Sequence, residues 1–371
     1  MSDDSTGSTS AERGLKGAEQ TVASFEEPDA GFVRKLQGFL HEYPTSIPFI
    51  VLLIGVVIFA IAAPGKFLSP LNLSVVLQQV TIIAILGIAQ TLVILTAGID
   101  LSVGAIMILC TVVMGRTAVV YGVPVIVAFP LGLLCGITCG VINGLIVTKL
   151  RLPPFIVTLG TWSIFGALNV FYSQSETIRQ QDMEAAAPFL QLTGTLIKPF
   201  QAFQSWGLQL DFLRGWVLTY GSILMVLVAI AIWYILSKTA FGRHVYATGD
   251  DPDSARLAGI NTNRTLVGVY GLAGLICAIA AWAFIGRIGG VSPQAGQTAN
   301  LDSITAVVIG GTSLFGGRGS IIGTVIGALI VGVFRNGLAL SGLELLWQDF
   351  AVGVLIIVAV TIDQWIRKIS A

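Results

Sequence analysis

Pro293–Ser320 reads PQAGQTANLDSITAVVIGGTSLFGGRGS, and the fold turns on how this stretch is taken. Its longest largely apolar run, Ile304–Ile309 with Thr305 inside it, is six residues long before Gly310 and Gly311 close it. A helix needs roughly 20 residues to cross a bilayer, yet long apolar segments flank the stretch on both sides. Irregular backbone at membrane depth persists only where protein or a water-filled cavity covers its unpaired N–H and C=O groups. A broken helix flanked by Gln294, Gln297, Asn300 and Asp302 therefore points to a polar path inside a membrane protein.

Composition agrees. Hydrophobic residues make up 54% of the chain and charged residues 11%, where soluble domains carry about 25% charged residues. Mean hydropathy is +0.86. The expected fold is an all-α integral membrane protein with about ten transmembrane helices, broken or re-entrant segments among them. Apolar windows place spans at Ile47–Ala63, Val75–Ala97, Leu101–Val120, Val123–Val147, Pro154–Tyr172, Trp216–Leu236, Leu266–Ile285, Ile321–Leu340 and Leu346–Ile366. The short Ile304–Ile309 element makes the tenth. Ahead of this 43–371 transmembrane domain, residues 1–42 form an acidic, disordered leader on composition. A possible interfacial helix at its end carries Phe32, Val33, Leu36, Phe39 and Leu40 at helical spacing.

Lys/Arg bias orients the bundle. With a cytoplasmic N-terminus, the interior receives Arg34, Lys35, Lys149, Arg151, Lys238, Arg243, Arg256, Arg264, Arg318, Arg367 and Lys368. The exterior receives Lys66, Arg179, Lys198, Arg214 and Arg287. Both termini then lie in the cytoplasm of a multi-pass membrane protein. Cys110, Cys135, Cys139 and Cys277 sit in apolar segments and His41 and His244 outside them, which favours core thiols with no metal, no disulfide and no cofactor.

Gly132, Gly136, Gly140 and Gly144 repeat every four residues, as do Gly319, Gly323 and Gly327. That spacing puts each set on one helix face and lets a neighbouring backbone come close. Both ladders lead to Asn-Gly-Leu, at Asn143–Leu145 and Asn336–Leu338, a hint of a duplicated half.

Asp100 stands between two apolar runs in TAGIDLSVG, Thr96–Gly104. It can cap the next helix by accepting from Ser102 or Val103 N–H, or line a transport path beside a broken helix end. Candidate path residues are Gln78, Gln90, Asp100, Ser102, Asn143, Thr158, Asp302 and Thr305, and interhelical hydrogen bonding explains each singly as well. Without an intramembrane Lys/Arg cluster or a chain of carboxylates, this inventory suits a neutral polar solute better than an ion. No nucleophile elbow, paired His or metal spacing appears, and Gly310–Gly319 lacks the order of a phosphate loop. The chain is read as no enzyme, its energy coming from another chain or an ion gradient.

Residues 237–265, with SKTAFGRHVYATGDDPDSARLAGINTNR at Ser237–Arg264, make a cytoplasmic loop far longer than the two to eight residues that join antiparallel helices. Within it Asp251, Pro252, Asp253, Ser254, Ala255, Arg256, Leu257, Ala258, Gly259 and Ile260 suit a short, small-faced helix for docking a partner protein. Taken together, TAGIDLSVG, PPFIVTLGT at Pro153–Thr161, the loop at Gly242–Ile260 and DSITAVVIGGTSLFGGRGS at Asp302–Ser320 resemble the membrane permeases of bacterial ABC sugar importers, in the ribose/xylose/fructose branch. The resemblance covers roughly Pro48–Lys368 and leaves out the leader. It implies a pore subunit that pairs with a second permease copy, two ATPase modules and a periplasmic sugar-binding protein. It also implies that Asp251–Ile260 is the coupling helix and that the cargo is a monosaccharide moved by alternating access. QAGQT and WQDF lean that cargo slightly toward fructose.

Two rivals remain at this point. An ion-coupled secondary sugar transporter would need an ion site, for which Asp100, Asp302 and Asp349 are the central carboxylates. A membrane enzyme acting on lipid-linked sugar would need a charged cluster in the Ser173–Gly215 loop, which offers only scattered Glu176, Asp182, Glu184 and Asp211.

Overall fold

A computed structural model describes residues 46–205, 211, 214–296, 298–344, 346–354, 357–358 and 361. The leader, Gln297 and most of the expected last span beyond Val354 lie outside the described residues. The described residues are helical nearly throughout, and seven helices among them are long and apolar enough to cross a membrane. They are α2 (Pro70–Leu95), α3 (Val103–Gly115, extended by a π turn over Arg116–Val120), α4 (Val125–Leu150), α5 (Pro154–Ser173), α9 (Tyr220–Lys238), α12 (Thr262–Ile288) and α14 (Ile321–Leu340). Two shorter apolar helices, α1 (Ser46–Ala62) and α13 (Ala299–Ile309), stand where two further elements are expected. Residues 346–354 open the tenth.

Local chemistry fixes the helix ends. Ser69 caps α2 by accepting from Asn72 N–H, with Pro70 preset for the first turn. At its other end Ala97 turns left-handed at φ 59° and stops the helix. Asn261 caps α12 through Arg264 N–H, and Gly289 ends it at φ 76°. Ser320 caps α14 through Gly323 N–H. That cap corrects one expectation: Gly319 precedes the helix, so it shares no helix face with Gly323 and Gly327. The other correction is to the opening stretch, in which Ala299–Ile309, 11 residues, is regular helix. Its first turn, Ala299–Ser303, is polar and fell outside any apolar window.

α2, about 39 Å long at 1.5 Å per residue, is the axis of the bundle. From Val80 to Leu95 nearly every residue is buried, packed on by α3, α9, α12, α13 and α14. α1, α4, α5 and α9 carry broad apolar faces outward, Ile126 and Phe171 among them, as suits a surface bathed in lipid or a partner helix. The tightest pair is α4 on α12. There a Cβ on Gly140 would collide with the Tyr270 carbonyl, and one on Gly136 with Gly274. Gly144 meets Val267, whereas Gly132 meets Met114 of α3. On α14, Gly323 faces Gly310 and Gly327 faces Ala306.

Between α5 and α9 the chain caps one end of the bundle instead of looping freely. Short helices α6 (Gln180–Ala186) and α7 (Pro188–Gln191) lead into a two-stranded ribbon whose strands enclose α8 (Pro199–Ser205) in sequence. In that ribbon β1 (Leu196–Ile197) pairs antiparallel with β2 (Leu218–Thr219), Leu196 opposite Thr219. Met183 and Leu190 are fully buried, Thr193 donates to the Trp282 carbonyl at 2.9 Å, and Phe189 stacks on the Trp282 ring.

Candidate functional site

Five of the eight candidate path residues converge on the break between α2 and α3. Asp100 Oδ1 accepts from the Ser102 N–H at 2.7 Å and the Ser102 hydroxyl at 2.6 Å. Asn143, at the end of the α4 glycine ladder, donates to Ser102 Oγ at 2.8 Å. Thr158 on α5 donates to the Ile99 carbonyl at 2.9 Å. Gln90, with its amide nitrogen toward the Asp100 carbonyl, pairs with both backbone groups of Asp100 at 3.0 and 3.1 Å. All five side chains are shut off from solvent. Asp100 thus closes a turn through Ser102, the residue at which α3 starts. The reason for burial is plain: a helix broken in an apolar interior exposes amide groups, and polar side chains are the cheapest partners for them.

Asn300, on the first turn of α13, ties the same break from the other side. It donates to the Leu101 carbonyl at 2.6 Å and accepts from Gly104 N–H at 2.5 Å. Its neighbour Asp302 turns away to Arg335 of α14 at 2.7 Å, and the same guanidinium reaches Asp349 at 3.1 Å. Two carboxylates thus share one cation. Thr305 is buried, with its hydroxyl bonded to the Leu301 carbonyl at 2.6 Å. Gln78 stands apart from all of these, in a small polar cleft near the capped end of the bundle. Thr81, Thr193, Thr219 and Arg287 line that cleft with it. The eight residues therefore share no single surface.

At the opposite end, residues 239–261 form two helices. α10 (Ala240–Asp250) is capped by Thr239, which accepts from Gly242 N–H at 3.3 Å. α11 (Pro252–Leu257) follows after Asp251 alone. The Asp251 carboxylate accepts from the Ser254 hydroxyl at 2.6 Å and from the Ser254 and Asp253 N–H groups at 3.2 and 2.9 Å. Those bonds hold it below the ordinary carboxylate range. Gly259 ends the element at φ 84°. Leu257 is 90% exposed, a large apolar side chain with nothing over it, whereas Ala255 is 4% exposed and faces inward. Ala255 therefore serves the seating of α11 on its own chain and stands off any docking face, because the six-residue helix has only one side free.

Several residues of this geometry escaped the sequence reading. Arg116 and Arg335 sit inside apolar windows that averaged them away. Arg116 bonds the Ser173 carbonyl and pairs with Glu176 at 2.9 Å. α10 falls inside the expected loop, although Gly242, Val245 and Gly249, spaced three and four apart, form its buried side. Asn300 was noted as polar without a partner.

Comparison with known proteins bears on what this arrangement serves. The family model described as "branched-chain amino acid transport system / permease component" matches residues 72–360. The chain is 52% identical over 360 residues to the fructose import permease protein of Rhizobium meliloti, covering 97% of this chain and 96% of that one. It is 40% identical over 326 residues to the ribose import permease protein of Bacillus subtilis, 87% and 93% covered. The D-allose transport system permease protein of Escherichia coli is 31% identical over 335 residues, 89% and 94% covered. No solved structure matches. The first alignment leaves out 371 − 360 = 11 residues of this chain, so the likeness runs into the acidic leader, beyond the Pro48–Lys368 reach that the motifs suggested.

Proposed function

Because this chain belongs to the branched-chain amino acid transport system permease family, we propose that it carries a monosaccharide, fructose foremost, across the membrane by alternating access. That it is a multi-pass permease subunit of an ABC importer in the bacterial inner membrane follows from the family and its relatives; the ion-coupled alternative finds no support there. The sugar rests on one observation, the 52% identity to a fructose import permease along nearly the whole chain. Allose and ribose permeases are similar at lower identity.

ATP is hydrolysed on a separate subunit, two copies of which seat on α11 of two permease copies, while a periplasmic binding protein delivers sugar at the α6–β2 end. Exposed Leu257 supports this reading, since a lone apolar side chain on a rigid, capped helix fits a groove in a partner. The polar residues divide the work. Gln78, with Thr81, Thr193 and Thr219, offers hydroxyl and amide partners to a neutral solute. The Gln90–Asp100–Ser102–Asn143–Thr158 knot holds the helix break beside the path, and Asp302 and Thr305 set the short helix across from it.

Uptake of labelled fructose, ribose and xylose, with ATPase and binding protein supplied, tests the reading. ATP-dependent fructose uptake is expected, and uptake driven by a proton or sodium gradient without an ATPase would defeat it. Orientation has its own test. Cysteine at exposed Arg243 should react with an impermeant maleimide from the cytoplasmic side, and cysteine at exposed Ala185 from outside.

A further inference from the structure

The glycine-rich segment Gly310–Ser320 opened the sequence question, and neither the proposed path nor the docking surface uses it. Three contacts fasten it. The Gly317 N–H donates to the carbonyl of Leu95, the last residue of α2, at 3.0 Å. Tyr246 of α10 donates its hydroxyl to the Gly319 carbonyl at 2.9 Å. Gly249 of α10 lies between the two partners, where a Cβ would collide with the Leu95 carbonyl and stand 2.8 Å from Gly317 N. Beside them a Cβ on Gly316 would come within 2.9 Å of Ala97 Cβ. Three backbones from distant parts of the sequence thus meet with almost no side chain between them.

Such a junction transmits displacement well. Rotamer changes absorb small movements wherever side chains intervene, and here few are available. On one side, α10 joins α11 through Asp251 alone, so a push on Leu257 is felt at Gly249. On the other, Leu95 leads directly into Thr96–Ser102, where Asp100 and Ser102 start α3. We infer that the Gly249–Gly317–Leu95 junction, fastened by Tyr246, is the joint through which α10 and α11 move the break between α2 and α3. Its members touch no solute and are positioning residues. The inference rests on the proposed docking of an ATPase at α11.

The test reconstitutes permease, ATPase and binding protein in liposomes and measures fructose delivered per ATP hydrolysed. Y246F removes one hydrogen bond and keeps the ring. Fructose per ATP should fall about fivefold, the factor one net hydrogen bond is worth, while hydrolysis stays near wild type. G249A should go further, with the ATPase still bound and uptake lost. Y234F, at an exposed position on α9, should leave the ratio unchanged. A wild-type ratio in Y246F overturns the joint even if G249A fails to fold. So does a parallel fall of both rates at constant ratio, since that is a loss of folded protein. L257E separates the two levels of the argument, because full ATPase binding and full uptake in that variant would remove the docking reading itself.

Discussion

Thr96–Ser102 interrupts helices in a buried interior and Gly310–Ser320 does so at a partly exposed edge, and they are closed by different chemistry. In the first, side chains do the closing. Gln90, Asp100, Asn143, Thr158 and Asn300 each take up a backbone group or the side chain that holds one. In the second, backbone meets backbone, Gly317 on Leu95 and Gly249 beside both. A side-chain knot resists change, because breaking any member leaves a buried polar group stranded. A glycine contact, held by shape and by the Gly317–Leu95 and Tyr246–Gly319 hydrogen bonds, has few side chains to absorb a movement. The bundle therefore holds its first break together as one body and leaves the second to pass a neighbour's displacement on to it.

The comparison is broken most severely at Asp100. Asp100→Leu strands the Ser102 N–H and hydroxyl and should cost about 4 kcal/mol, read as loss of folded protein in detergent. Asp100→Asn keeps an acceptor in place and should cost less than about 1 kcal/mol. Equal damage from the two would mean that charge, not hydrogen bonding, matters at the knot. At the glycine-built break, Gly327→Leu drives α13 off α14, where Ala306 and Gly310 leave no space. It should cost about 3 kcal/mol by overpacking, seen as a lower melting temperature. An unchanged melting temperature would show that α13 swings freely.

Leu257→Glu touches neither break. It should weaken ATPase binding by about 2 kcal/mol, the scale of an interface anchor, in pull-down from detergent, with the melting temperature of the permease unchanged. The smallest effect is expected at Asp251. Its carboxylate sits below the ordinary value because Ser254 and Asp253 donate to it. A lowered folded value stabilises above the unfolded pKa and is lost only as pH falls through the folded one. Uptake should therefore show no step from this group between about pH 5 and 8, and Asp251→Ala should lower coupling slightly at every pH in that range. A step near neutrality that disappears in Asp251→Ala would contradict the hydrogen bonding described.

Much of this was legible beforehand, and what was missed has a common cause. Hydropathy windows located α2, α4, α5, α12 and α14 because those helices are apolar over their whole length. The same averaging hid Arg116 and Arg335, single charges in apolar surroundings whose partners, Glu176, Asp302 and Asp349, are remote in sequence. Gln90, Asp100, Ser102, Asn143 and Thr158 could be chosen as polar residues out of place. That they form one knot could not be read, because it depends on helix rotation. The inward turn of Ala255 and the outward turn of Leu257 were illegible for the same reason: on a six-residue helix either face could dock.

The closure of the first break also bears on how the protein is made. Asn143 lies 41 residues beyond Ser102, Thr158 lies 59 beyond Ile99, and Asn300 lies 199 beyond Leu101. When α2 and α3 leave the ribosome, most partners of the turn between them have yet to be synthesised. A turn with bare amides and a carboxylate is costly wherever it is buried without partners, so Thr96–Ser102 can reach its final burial only once α13 has joined the bundle. Biosynthesis intermediates arrested before Asn300 should accordingly stay bound to the translocon or be degraded, while chains arrested after α14 pass into the membrane.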